Sequence, residues 1–137
     1  MARKPRAIVL DSWAMMSYLG GEPSAEKVAD IMADAHEEDI PLFMTVINAG
    51  EVWYILAREI SVAEADSSIR QLRQLGIKFV DADWDLAHDA ASFKSKHKMS
   101  FADCFATALA KHMKAVLLTG DSEFKQIEPQ ITIDWLK

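Results

Sequence analysis

The chain has 137 residues, 50% of them hydrophobic and 26% charged, with 15 Lys and Arg against 21 Asp and Glu for a net charge of −6. That share of apolar residues excludes intrinsic disorder, and the length predicts one domain over residues 1–137. The negative balance excludes a protein that merely coats nucleic acid, and the single cysteine, Cys104, excludes an internal disulfide and a Cys-rich zinc site.

In chain order, Ala7–Leu10 reads as a fully buried strand. Ser12 is expected to cap a helix running to Tyr18, stopped by Gly20 and Gly21. Pro23 and Ser24 open a helix with an apolar face of Ala25, Val28, Ile31, Met32 and Ala35. Leu42–Met44 is a short strand, and Thr45 caps a helix to about Arg58. Val62, Ala65, Ile69, Leu72 and Leu75 mark the next helix, ended by Gly76. A strand at Lys78–Val80 follows, then a helix capped by Asp83 and running to Phe93. Ser100 caps a helix to Met113, Ala115–Leu118 is a buried strand, and Ile131–Ile133 is an edge strand after a short helix. Strands separated by helices predict a parallel sheet covered on both faces.

The longest apolar runs, 7–10 and 115–118, fall far below the ~20 residues of a membrane span, so neither a membrane role nor a location outside the cytoplasm is expected. The basic start (Arg3, Lys4, Arg6) is weakly like a signal peptide, but Asp11 interrupts the apolar stretch and removes that reading.

Ligands of open parallel sheets sit outside the carboxyl ends of the strands. Asp11 follows the first strand; Thr119, Gly120 and Asp121 follow the fourth. The plain alternative for each acid is a helix cap. Glu51 and Asp103 lie in stretches apolar on nearly every side, where a carboxylate needs a partner. Asn48 shares a helix face with Glu51, three residues away. The plain alternatives are a surface position for Glu51 and a capping box from Ser100 for Asp103. No Lys or Arg stands in these stretches to compensate four converging acids. Hard oxygen donors without His or Cys suit Mg²⁺ or Mn²⁺, which in turn suit phosphodiester chemistry.

The segments Ile8–Ser12, Thr45–Val52, Phe101–Ala110 and Leu117–Phe124, with acids separated by 40, 52 and 18 residues, resemble PIN domains and, among them, VapC-type toxins of toxin–antitoxin pairs. The resemblance implies a three-layer α/β/α sandwich around a mainly parallel five-stranded sheet. It also implies a Mg²⁺- or Mn²⁺-dependent endoribonuclease that hydrolyses RNA through a metal-activated water. By position, Asp11, Glu51, Asp103 and Asp121 match the catalytic and metal-binding quartet, with Asn48, Thr119 and Ser12 in support. The implied partners are RNA, a VapB-type antitoxin and a second copy of the chain. Trp13 stands where many relatives have a second hydroxyl residue, and an indole there narrows the pocket or stacks a base. Glu123 is read as a solvated acid rather than a fifth ligand.

Lys94, Lys96, His97 and Lys98, placed just before the helix of Asp103, are the expected phosphate contacts, with Arg58 and Lys111 as further candidates. Two rival readings stand beside the nuclease. One is a receiver-like Mg²⁺-binding signalling domain, which would need a Lys after a late strand, where Thr119-Gly120-Asp121 has none. The other is a catalytically silent PIN-fold interaction module.

Overall fold

The structure is a computed structural model describing residues 4–137, so Arg3 of the basic start lies outside the described residues. The elements are β1 (Ile8–Leu10), α1 (Ser12–Leu19), α2 (Ala25–Glu37), β2 (Leu42–Thr45), α3 (Val46–Glu59) and α4 (Val62–Gln74). They continue with β3 (Ile77–Val80), α5 (Trp84–Lys96), α6 (Phe101–Met113), β4 (Val116–Thr119), a 3₁₀ segment (Ser122–Ile127) and β5 (Thr132–Trp135).

The five strands form one sheet in the order β3-β2-β1-β4-β5. Every pairing is parallel, so the expectation of a mainly parallel sheet sharpens to a wholly parallel one. Alternation along β1 sends Ile8 and Leu10 to one core and Ala7 and Val9 to the other. The first core also holds Met15, Val28, Val52, Leu56 and Leu72, from α1 to α4. The second holds Leu86, Phe93, Cys104, Leu109, Phe124 and Ile127, from α5, α6 and the 3₁₀ segment.

This layering follows from strand order. The chain steps from β1 to β2 to β3 in one direction, then returns past β1 to β4 and continues to β5. Right-handed crossovers put connections made in opposite directions on opposite faces. The reversal also makes β1 and β4 neighbours whose following segments part to opposite sides.

Local signals set most boundaries. The Thr45 hydroxyl accepts from the Asn48 amide (3.0 Å), the Asp83 carboxylate from Leu86 (2.9 Å) and the Ser100 hydroxyl from Asp103 (3.1 Å), so these three expected caps are present. Ser12 is not the cap of α1. Asp11 caps it, accepting from the Ala14 amide at 2.8 Å, and Ser12 is the first helical residue. α5 runs to Lys96 rather than Phe93, so Lys94 and Lys96 belong to its last turn. There they offset the negative end of the helix dipole. Among the described residues, no helix is long and apolar enough to cross a membrane.

Candidate functional site

Four segment starts meet beyond the carboxyl ends of the strands. β1 runs into the N-terminus of α1, β2 into that of α3, and β4 into the 3₁₀ segment. The Asn48 side-chain amide donates to the Ala102 carbonyl (3.1 Å) and ties the start of α3 to the start of α6. Asp11 and Asp121 are the caps of their elements, and Asp103 lies in the first turn of α6. Carboxylates suit such positions, because unpaired backbone N–H groups give helix N-termini a partial positive charge.

Asp103, Asp121 and Glu123 each offer a carboxylate oxygen within 4.8 Å of the others. Glu123 reaches this group because its amide donates to the Asp121 carboxylate (3.0 Å), which folds the turn back on itself. The Asp121 amide in turn donates to the Thr119 hydroxyl (3.1 Å). That hydroxyl donates to Asp11 at 2.5 Å, so Asp11, Thr119 and Asp121 form one chain of bonds. Ser12 donates to the Glu51 carboxylate and joins α1 to α3. Glu51, Asp103, Asp121 and Glu123, with Ser12 and Ser100, line an open cleft of about 1080 Å³. Apolar side chains line it as well, among them Trp13, Met16, Ile55, Ile60 and Leu136. Asp11 is fully buried and does not line the cleft.

Burial raises the Asp11 carboxyl to about 7, against the stabilising bonds from Thr119 and Ala14, and the charges of Asp103 and Asp121 raise it further. Burial likewise raises Asp103 to about 7, assisted by the charges of Asp121, Glu51 and Glu123 and opposed by the Ser100 bond. Among the described residues, none of these five carboxylates has a Lys, Arg or His partner within 4.0 Å. A concentration of hard oxygen donors with no internal counter-charge fits a divalent cation of the Mg²⁺ or Mn²⁺ kind and offers nothing to a soft metal.

A family model described as PIN domain matches residues 8–128. The chain belongs to the PIN domain family. Among solved structures it is similar to VapC20 of Mycobacterium tuberculosis, described as a sarcin-ricin loop cleaving toxin. The identity there is 16% and the TM-score 0.69, over 88% of this chain and 94% of that one. The DNA-bound VapBC of Salmonella typhimurium matches at 13% identity and a TM-score of 0.74, over 96% of this chain and 98% of that one. FitAcB of Neisseria gonorrhoeae matches at 20% identity and a TM-score of 0.66, over 94% and 97%. A sequence comparison with curated proteins found no match. PIN membership removes the receiver-like alternative, and the sheet agrees: receivers order their strands 2-1-3-4-5, whereas this order is 3-2-1-4-5.

The PIN fold thus brings Glu51, Asp103 and Asp121 to the cleft and links the buried Asp11 to Asp121 through Thr119; Ser12 and Thr119 each bond to one of these acids. The side-chain bonds of Asn48 among the described residues go to Thr45 and to the Ala102 carbonyl rather than to one of these acids. Glu123, expected to be a solvated acid, stands within the carboxylate group while remaining exposed.

The expected phosphate contacts are placed differently. Lys94 is committed to the Met99 carbonyl (2.6 Å), Arg58 lies over the Tyr54 ring, and neither they nor Lys96 and Lys98 line the cleft. Lys96 and Lys111 border a separate small hollow with His97.

Trp13 packs its ring on Gly120, where a Cβ would come within 2.3 Å of the indole. Gly120→Ala is therefore expected to displace Trp13 and destabilise the protein by about 1–3 kcal/mol, the usual range for overpacking. Urea denaturation and tryptophan emission read both effects, and adding Trp13→Ala should recover most of the loss.

Proposed function

We propose that this PIN domain, taken over residues 1–137, is a metal-dependent endoribonuclease and the toxin of a VapBC-type pair. The carrying observation is the uncompensated carboxylate group on an open cleft at the point where β1 and β4 part. The fold shared with VapC20, described as cleaving the sarcin-ricin loop, supports RNA as the substrate. The similar chains found in VapBC complexes, and the apolar side chains that line the cleft, support a VapB-type antitoxin as the partner.

In this reading Asp11, Glu51, Asp103 and Asp121 hold Mg²⁺ or Mn²⁺, with Glu123 beside them. The bound cation supplies charge neutralisation at the phosphate and activation of water for in-line attack. Thr119 and the Ala14 amide fix the orientation of Asp11, Ser12 fixes Glu51, and the Glu123 amide fixes Asp121. Asp11 and Asp103, raised to about 7 in the metal-free protein, release their protons when the cation binds, so metal affinity rises with pH up to that point. The expected products carry 5′-phosphate and 3′-hydroxyl ends.

A homodimer and a cytoplasmic location complete the proposal; the exposed apolar side chains of Ile47, Tyr54 and Phe101 support an interface. Incubating the purified protein with RNA tests it. Cleavage is expected with Mg²⁺ or Mn²⁺ and not with EDTA. A protein that cleaves nothing with either metal would be the silent interaction module instead.

A further inference from the structure

A nucleic-acid strand entering this cleft meets carboxylates, so a cation must hold its phosphates against them. Among the described residues, Lys137 is the one Lys or Arg that lines the cleft. Its Nζ lies over the Trp13 ring, 5.4 Å from the centroid. The same indole packs against Gly120, the residue between Thr119 and Asp121. Lys137 therefore sits beside the turn that carries the acids, yet pairs with none of them within 4.0 Å.

The preceding residues hold it there. The Leu136 amide donates to the Thr119 carbonyl (2.9 Å), and the Leu136 carbonyl accepts from the Ser24 hydroxyl (3.1 Å). The Trp135 carbonyl accepts from Lys27 (2.7 Å), and the Leu136 side chain is buried in the first core. Lys27 is occupied by that bond and by Asp134 at 3.5 Å, and Lys94 by Met99, so their charges are already engaged. Among the described residues, Lys137 has the indole and no carboxylate within 4.0 Å. A cation–π contact at a partly exposed site contributes about 0.5–1 kcal/mol, less than a charge-assisted bond to a phosphate oxygen.

We propose that Lys137 contacts a backbone phosphate of the RNA strand in the cleft, and that Trp13 holds the ammonium group at the edge of the carboxylate cluster until the strand arrives. This rests on the ribonuclease reading. It also reassigns Trp13: with Gly120 and Lys137 packed against it, the indole positions a lysine and a turn rather than stacking a base.

The test compares wild type, Lys137→Gln and Lys137→Arg on one labelled RNA oligonucleotide with Mn²⁺, over a range of KCl concentrations. Lys137→Gln is expected to raise KM by about 5–10-fold, with kcat within about twofold, as for the loss of one charge-assisted contact. The slope of log affinity against log salt should fall by about 0.7, the value for one phosphate on a single strand. Lys137→Arg should keep KM within about twofold, because it keeps the charge. An unchanged KM and slope in Lys137→Gln overturns the proposal. So does an arginine variant as weak as the glutamine one, which would show that packing on Trp13 and not charge is at work. If wild type cleaves nothing, the ribonuclease reading fails. The oligonucleotide then stays intact, and its fluorescence anisotropy still decides Lys137: equal affinity of wild type and Lys137→Gln overturns the contact.

Discussion

Asp103→Asn is expected to lower metal-dependent RNA cleavage by at least about 100-fold while raising the melting temperature of the metal-free protein at pH 8. The first effect follows from removing a charged oxygen donor from the Asp103, Asp121 and Glu123 group. Metal catalysis contributes several kcal/mol, and each 1.36 kcal/mol is tenfold in rate. The second effect has the opposite sign because Asp103 is buried among Asp121, Glu51 and Glu123 with no Lys, Arg or His within 4.0 Å among the described residues. A neutral amide of the same shape removes that repulsion and keeps the backbone bond to Ser100. The combination separates a functional loss from an unfolded variant: a mutant that is inactive but more stable has lost chemistry, not structure. A lower melting temperature, or cleavage within tenfold of wild type, would contradict the role assigned to Asp103.

The metal-free protein is expected to lose stability as pH rises from about 4 to about 7. Burial holds the Asp11 and Asp103 carboxyls at about 7 in the folded state, against the ordinary 3.8 of an exposed carboxyl in the unfolded chain. Between those values the folded state binds more protons than the unfolded one, so unfolding free energy falls as pH increases. The stabilisation is fully present below about 4 and is lost as pH passes through 7. For two buried groups the change is on the order of a few kcal/mol. Asp89 does not obscure this window: His112 and His88 hold its carboxyl below 3.8, so its own effect falls at lower pH. Melting in EDTA at pH 5, 6, 7 and 8 reads the trend directly. The wild-type midpoint should fall across the series, the Asp11→Asn, Asp103→Asn double variant should stay nearly level, and Mn²⁺ should restore wild type at pH 8. A wild-type midpoint that rises or stays level in EDTA would contradict the burial of two unpaired carboxyls.

The element order was legible because its signals are local. A run such as Ala7–Leu10 needs two covered faces, and Thr45, Asp83 and Ser100 each place a side-chain oxygen one turn before an unpaired amide. Where two capping residues stand together the pattern is ambiguous. Asp11 and Ser12 both qualify, and the ladder ending at Leu10 leaves the cap to Asp11, freeing Ser12 to bond Glu51 across 39 residues. The convergence of Asp11, Glu51, Asp103 and Asp121 was legible because each sits at or near the start of an element that follows a strand or leads back to one.

Glu123 was not legible, since a spacing of two residues from Asp121 says nothing about a 3₁₀ turn that folds it back. Lys137 was hidden for a different reason. It reaches the cleft only because β5 pairs in parallel with β4, with Trp135 opposite Thr119, a register that no local pattern encodes. Lys94 looked free in the sequence, and its tie to Met99 depends on α5 continuing one turn past Phe93.

Manganese binding tests the carboxylate site most directly. Titration calorimetry at pH 7.5 should show Mn²⁺ binding to wild type, with affinity at least about tenfold weaker in Asp103→Asn and in Asp11→Asn, and weaker again at pH 5.5. Equal Mn²⁺ affinity in wild type and both variants would contradict a divalent-metal site built from these acids.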